Sequence, residues 1–271
     1  MIKQLTSAFL FVAVIGAEPA FAADMAVKAP PPALSAPYNW TGFYLGVNGG
    51  YGWDPTNVSF NPGTFGAIVF APGFVPTSGA PISLSVHPKG WLGGVHAGYN
   101  WQAETWVYGL EADFDAANMK GSTAAPFSEI GTEFGDAAAI SGNLGLTQKI
   151  DSLSTIRGRL GWAANTALFY VTGGAGWAHV KTTLNTFGVS VSGFNPGAAS
   201  LALLTSTSSE VRWGPAVGAG VELAIAQNWI AGAEYLLVDI SGTPSFSFPG
   251  ASISGSLAIQ TARVRLSYLF H

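Results

Sequence analysis

Residues Trp40 to Trp53, WTGFYLGVNGGYGW, alternate between two different surfaces. Phe43, Leu45, Val47, Tyr51 and Trp53 fall on one side, and Tyr44, Gly46, Asn48, Gly50 and Gly52 on the other. Period two rather than period 3.6 identifies a β-strand. Glycine is disfavoured in strands, and its confinement to one face is expected where side chains crowd inside a small closed barrel. Trp40 and Phe43 at one end, with Tyr51 and Trp53 at the other, form the aromatic girdle of a transmembrane strand.

The same pattern recurs along the chain. Gly90 to Trp101 sets Trp91, Val95, Tyr99 and Trp101 against Leu92, Gly94, His96, Gly98 and Asn100. Trp106 to Phe114 sets Trp106, Tyr108, Leu110 and Phe114 against Gly109, Glu111 and Asp113. Ser152 to Trp162 points Ile156, Leu160 and Trp162 outward and Arg157, Arg159 and Gly161 inward, and Ala167 to Ala178 opposes Phe169, Val171 and Trp177 to Tyr170, Thr172 and Gly174. Glu210 to Leu223 opposes Val211, Trp213, Val217 and Val221 to Arg212, Gly214, Gly218 and Glu222, with Pro215 predicting a bulge or local irregularity. Trp229 to Val238 carries Glu234 inward. Ser256 to Phe270 points Val264, Leu266, Tyr268 and Phe270 outward and Arg263 and Arg265 inward.

These runs are joined by tight turns at 102–105, 163–166 and 224–228 and by long segments read as irregular loops at 54–89, 115–150, 179–208 and 239–255. Alternation of long and short connections, with an even strand count, predicts an all-β, eight-stranded antiparallel up-and-down transmembrane barrel with long extracellular loops and short periplasmic turns. Its lipid-facing rows and girdles would comprise Trp40, Phe43, Leu45, Val47, Tyr51, Trp53, Trp101, Trp106, Trp162, Trp177, Trp213, Tyr268 and Phe270.

Composition sharpens this picture. Of the residues, 48% are hydrophobic and only 10% charged, whereas soluble domains carry about a quarter charged residues. No internal run approaches the roughly 18 apolar residues of a membrane helix, which leaves a closed barrel as the way to satisfy the backbone in hydrocarbon. A net charge of -4 argues against a nucleic-acid partner.

Upstream, Lys3, the apolar stretch Ala8 to Ala17, Pro19 and the site Ala20-Phe21-Ala22 have the three regions of a secretory signal peptide, with cleavage expected between Ala22 and Ala23. Residues 23–39, with Pro30, Pro31, Pro32 and Pro37, read as an extended periplasmic tether, and residues 40–271 as the barrel domain.

Glu111, Asp113, Arg157, Arg159, Arg212, Glu222, Glu234, Arg263 and Arg265 all land on inner faces. They could line a polar, conducting lumen or neutralise one another as interior ion pairs. An eight-stranded interior is just wide enough for side chains to fill, and unpaired buried charges are expensive, so pairing is the expected arrangement. Glu111 and Asp113 would then face Arg157 and Arg159, with Glu222 and Glu234 near Arg263 and Arg265. His87, His96 and His179 show no nucleophile-base or metal-ligand spacing, so neither catalysis nor a metal or cofactor is expected.

The residues resemble a known family. Asn39-Trp40-Thr41-Gly42-Phe43-Tyr44, Gly98-Tyr99-Asn100-Trp101, Tyr108-Gly109-Leu110-Glu111-Ala112-Asp113, Arg157-Gly158-Arg159-Leu160-Gly161, Thr172-Gly173-Gly174, Val217-Gly218-Ala219-Gly220-Val221-Glu222 and Ala233-Glu234-Tyr235 are similar to segments of small alphaproteobacterial outer-membrane barrels. These are typified by the major surface antigens of Brucella and their rhizobial relatives, often described as porin-family proteins. The resemblance implies an OmpA-like barrel contributing to envelope integrity and surface recognition, with a narrow porin for small hydrophilic solutes as the alternative. It also implies contact with outer-membrane lipid, assembly through the C-terminal strand by the barrel assembly machinery, and loops open to surface or host ligands. Such chains commonly end on an aromatic residue, whereas here His271 follows Phe270.

Amino-terminal sequencing of the protein from an outer-membrane fraction is expected to begin at Ala23. An intact Met1 would refute the cleavage site.

Overall fold

The computed structural model describes residues 38–55, 59–61, 74–79, 84–133, 135–193, 205–240, 252–254 and 257–271. The signal segment, its Ala22-Ala23 cleavage site and all but the last two residues of the tether lie outside them. Eight long strands follow one another: β1 Gly42–Trp53, β2 Lys89–Ala103, β3 Trp106–Glu133, β4 Asp136–Ala164, β5 Ala167–Ser192, β6 Thr205–Ala224, β7 Trp229–Ile240 and β8 Leu257–Phe270. Each pairs antiparallel with the next. β1 then pairs with β8 from Phe43↔Phe270 to Trp53↔Gln260, closing the ring. No barrel strand is left with a free edge at membrane height, as a hydrocarbon surround requires.

Along each strand the outward set is apolar and exposed, with Phe43, Leu45 and Val47 at 46%, 50% and 55% of their full accessibility. Leu110, Ile156, Val171 and Val217 continue that band around the ring. At the end bearing the short turns it is edged by aromatic contacts: Trp101 on Tyr108, Trp162 on Phe169, and Trp229 and Phe270 on Tyr268. Tyr51 on Trp91 and Trp53 on Tyr235 edge it at the other end, and Trp177 and Trp213 pair directly across β5 and β6.

Trp40, expected in the girdle, is instead fully buried. Thr41 and Gly42 turn the chain into the mouth, where the Trp40 amide donates to Gln102 Oε1 at 2.7 Å and its indole N–H to the Asn165 carbonyl at 3.4 Å. Tyr38 packs edge-on against Trp40 and donates to the Gln227 carbonyl. The entering chain thus touches all three short turns and stoppers the barrel at that end. An indole in this position buries its ring among side chains and keeps its N–H paired with the backbone.

The segments read as irregular differ most from expectation. Residues 115–133 and 136–150 continue β3 and β4 as one hairpin, while β5 runs on to Ser192 and β6 begins at Thr205. β3, β4 and β5 have 28, 29 and 26 residues, more than twice the roughly 9–11 needed to span a bilayer. Short strands Phe74–Gly79, paired to β3, and Ser59–Asn61, paired to Ser252–Ser254, lie within the other two expected loops. No register shift occurs at Pro215. Pairing with β5 passes through it, and the ladder to β7 starts one residue later at Ala216, so the missing donor falls at the end of that ladder.

Two inner glycines show why that face is glycine-rich. Tyr44 lies opposite Gly98 and Tyr170 opposite Gly220. A Cβ at Gly98 would stand 2.4 Å from the Tyr44 hydroxyl, and one at Gly220 2.5 Å from that of Tyr170. A small residue on one strand makes room for a large one on its neighbour.

Placing a charge in the outward band is expected to be costly. Val47→Arg should lower barrel stability by about 2–4 kcal/mol if it lies near the midplane, read by reversible folding into lipid vesicles. No loss would mean that this face does not meet hydrocarbon.

Candidate functional site: the ionic interior

Side chains two apart on a strand share a face, so three of the strands deliver their charged residues to the ionic interior in pairs or a triplet and two deliver one each. β3 supplies Glu111, Asp113 and Asp115, β4 Arg157 and Arg159, β6 Glu222, β7 Glu234 and β8 Arg263 and Arg265. The pairing sets Glu111 directly opposite Arg157 and Arg263 directly opposite Glu234.

Arg157 is the hub. Its Nη2 donates to Glu111 Oε1 and Asp113 Oδ2, both at 2.7 Å, its Nη1 to Glu234 Oε1 at 3.0 Å and Thr172 Oγ1 at 2.9 Å, and its Nε to Thr155 Oγ1 at 2.8 Å. All three guanidinium nitrogens are engaged in a side chain with no solvent exposure. Thr155 in turn donates to Asp113 at 2.6 Å. Arg263 reaches Asp115 at 2.6 Å and also bonds Glu234, while Arg265 bonds both Glu234 and Glu111.

Arg159 takes a different set. It donates to Glu222 at 2.7 Å and to the Tyr44 hydroxyl at 3.0 Å, and its guanidinium lies 4.1 Å from the Tyr170 ring centroid, a cation–π geometry. The two tyrosines extend the network by donating to carboxylates, Tyr44 to Glu111 at 2.8 Å and Tyr170 to Glu234 at 2.9 Å.

Removing an ion from water costs several kcal/mol, which only close opposite charges and hydrogen bonds offset. Five carboxylates facing four guanidinium groups, nearly all bonded more than once, meet that condition. Apolar layers lie on both sides. Toward the short turns Trp40, Val107, Leu168, Ile230 and Leu269 pack around the tyrosines. On the far side are Met119, Ile150, Leu153, Val180, Leu236, Val238 and Ile259.

Of the residues expected inside, eight join this cluster. Arg212 also points inward, but at the level of the far apolar layer, where it pairs with Glu210 of its own strand at 3.3 Å. Glu111 and Asp113 pair with Arg157, Glu111 also lies 3.6 Å from Arg159, and Glu234 meets Arg263 and Arg265, as expected, whereas Glu222 pairs with Arg159 and Arg265 also reaches across to Glu111. Sequence reasoning missed Asp115, because it fell in an assumed loop although it continues the Glu111, Asp113 alternation. It also missed the network roles of Tyr44, Tyr170 and Thr155, whose inward positions were the available signal. His96 is buried and hydrogen-bonded to Ser267 Oγ at 2.7 Å. Among the described residues no group of three or more His, Cys, Asp or Glu is arranged to hold a metal ion.

A closed ring of eight antiparallel strands, apolar outside and filled with side chains inside, defines the class of small outer-membrane barrels. The chain belongs to the outer membrane protein beta-barrel domain family, whose pattern matches residues 7–270. It is 32% identical to the 31 kDa outer-membrane immunogenic protein of Brucella melitensis biotype 1 over 266 residues, covering 96% of this chain and 97% of that one. The 22 kDa outer membrane protein of Rhizobium leguminosarum bv. viciae is 29% identical over 201 residues, 74% of this chain and 64% of its own. Among solved structures, the outer membrane protein OprG from Pseudomonas aeruginosa aligns over 85% of this chain and 97% of its own, with 15% identity and a TM-score of 0.41. The protein is thus an outer-membrane β-barrel, similar to these Brucella and Rhizobium outer-membrane proteins.

Arg159 and Glu222 form a pair suited to a double-mutant cycle. Arg159→Met, which leaves the Glu222 carboxylate without its arginine, should cost about 3–5 kcal/mol, Glu222→Gln less because Arg159 keeps Glu111 at 3.6 Å and the Tyr44 hydroxyl, and the double change should cost clearly less than the sum of the two. Additive losses on denaturant unfolding would show that the two groups are separately solvated.

Proposed function

We propose that this protein is a non-enzymatic, non-conducting envelope barrel whose membrane portion is a rigid closed plug and whose long strands present a surface for recognition outside the cell. The observation that carries this reading is the filled interior. The Arg157-centred layer lies between two apolar layers, and the Trp40 stopper occupies the end with the short turns. A hydrated ion would have to displace paired arginines and carboxylates and then cross apolar side chains, which a passive diffusion route does not ask of its solute. The extension of β3, β4 and β5 beyond the bilayer supports a display role, and the immunogenic naming of the Brucella relative accords with it.

Purified protein reconstituted in planar bilayers should give no reproducible conductance steps under conditions in which a known porin does. Steady steps of uniform size would overturn the proposal in favour of a narrow porin. Arg157→Ala, which removes the hub, should introduce unstable current noise if the barrel still folds.

A further inference from the structure

Arginine and lysine are completely segregated in the described part of this barrel. Arg157, Arg159, Arg212, Arg263 and Arg265, all the arginines of the chain, are buried inside. Lys3 and Lys28 fall outside the described residues, and the remaining lysines form a single row across the outer face. Strand pairing sets Lys89 opposite Lys120, Lys120 opposite Lys149, and Lys149 opposite Lys181. Lys89, Lys120 and Lys181 are exposed, and the Lys149 side chain keeps 43% of its accessibility. Neighbouring strands lie about 4.8 Å apart, so four ammonium groups are gathered within roughly 15 Å.

Like charges directly opposite one another on adjacent strands are destabilising, so such a row calls for anions. Asp151, at the register shift in β4, supplies one by bonding Lys149 at 2.5 Å. That hydrogen bond holds the Asp151 carboxyl below the usual carboxylate range. One carboxylate leaves the row strongly positive.

Position says what else meets it. Lys89 is two residues from Trp91 on β2 and Lys181 four beyond Trp177 on β5, on the side away from the short turns, which is the headgroup level of the outer leaflet. On the short-turn side of Lys149 and Lys181 lies a groove of about 470 Å³ lined by Phe114, Ile156, Trp177 and Val211 together with Ser152, Ser154 and His179, and reaching Asp113 and Thr155, whose side chains are buried in the interior network. A cationic rim above a narrow, largely apolar slot at the membrane boundary matches an amphiphile with anionic headgroup and hydrocarbon tail. We propose that the lysine row binds the phosphate groups of an outer-leaflet lipid, one of whose acyl chains lies in this groove.

The test uses full-length mature protein folded in detergent, with bound lipid read by native mass spectrometry and folding checked by heat-dependent gel mobility. Diphosphoryl lipid A should be retained in clear preference to its dephosphorylated form. The triple variant K120Q/K149Q/K181Q should lose about 100-fold in affinity and K181Q alone about 5-fold, the size expected of lysines near an anionic surface. The triple Lys→Arg variant should keep binding, and D151N should strengthen it by removing the competing carboxylate. Equal retention of both lipid forms, unchanged binding by K181Q, or weaker binding by a folded D151N would overturn the proposal. Displacement of lipid A by millimolar inorganic phosphate would also overturn it, by showing a free-anion site with no use for the groove.

Discussion

A peptide amide surrounded by hydrocarbon has no water to bond with, so every strand at membrane height needs a hydrogen-bonded neighbour on each side. The β1–β8 pairing meets that demand by closing the ring, and the rest of the molecule follows from the closure. Eight strands enclose a space only wide enough for side chains, so the interior must be packed as a core is. Glycine opposite tyrosine, as at Gly98 and Gly220, lets two walls approach without voids. The end stopper of Trp40 belongs to the same economy of space, because a large ring entering from the chain terminus fills what the strands leave open.

A core of leucine and valine would fill the same volume, yet this one has a charged middle. The physical advantage lies in register. In a strand with aliphatic residues on both faces, a slip by one residue would exchange faces at little cost, whereas here it would send Arg157 or Glu111 into lipid and their partners into an unpaired interior. The ionic layer therefore rejects wrong registers more strongly than it stabilises the right one. The apolar layers on either side keep water out, which strengthens the pairing and raises the penalty for leaving it incomplete.

Cation chemistry divides along the same boundary. Guanidinium groups are planar, carry five donors and are weakly hydrated, which suits them to a dry cluster of carboxylates such as that around Arg157. Ammonium groups are compact and strongly hydrated, and their flexible stems let the charge stay in the wet headgroup region while methylenes lie along the wall. Above that level the long β3–β4 hairpin and its neighbours stand clear of the bilayer, so one continuous sheet serves as a membrane plug at one end and an exposed surface at the other.

The eight strands at membrane height, their inner and outer faces, the short turns and the inward position of nearly every buried charge were legible in the sequence, because lipid outside and a crowded interior impose opposite chemistry on alternate residues. That contrast fades beyond the bilayer. From Gly121 to Ala125 the exposed and half-exposed residues of β3 are all small or weakly polar, so a strand wet on both faces reads as a loop. Trp40 misled because an aromatic at a strand end suits a girdle and a stopper equally, and only the path of Thr41 and Gly42 distinguishes them. Pairings between neighbouring strands, such as Glu111 with Arg157 and Glu234 with Arg263, were legible, but those across the lumen were not, since Arg159 finds Glu222 and Arg265 finds Glu111 there. The lysine row depends on one-residue shifts between Ala116 and Met119 and between Ile150 and Ser152 that bring Lys120, Lys149 and Lys181 into line. Local alternation is written by the environment of each face and so survives in the sequence. Contacts across the lumen and alignments around the wall depend on closure and stagger, which exist only once all eight strands have paired.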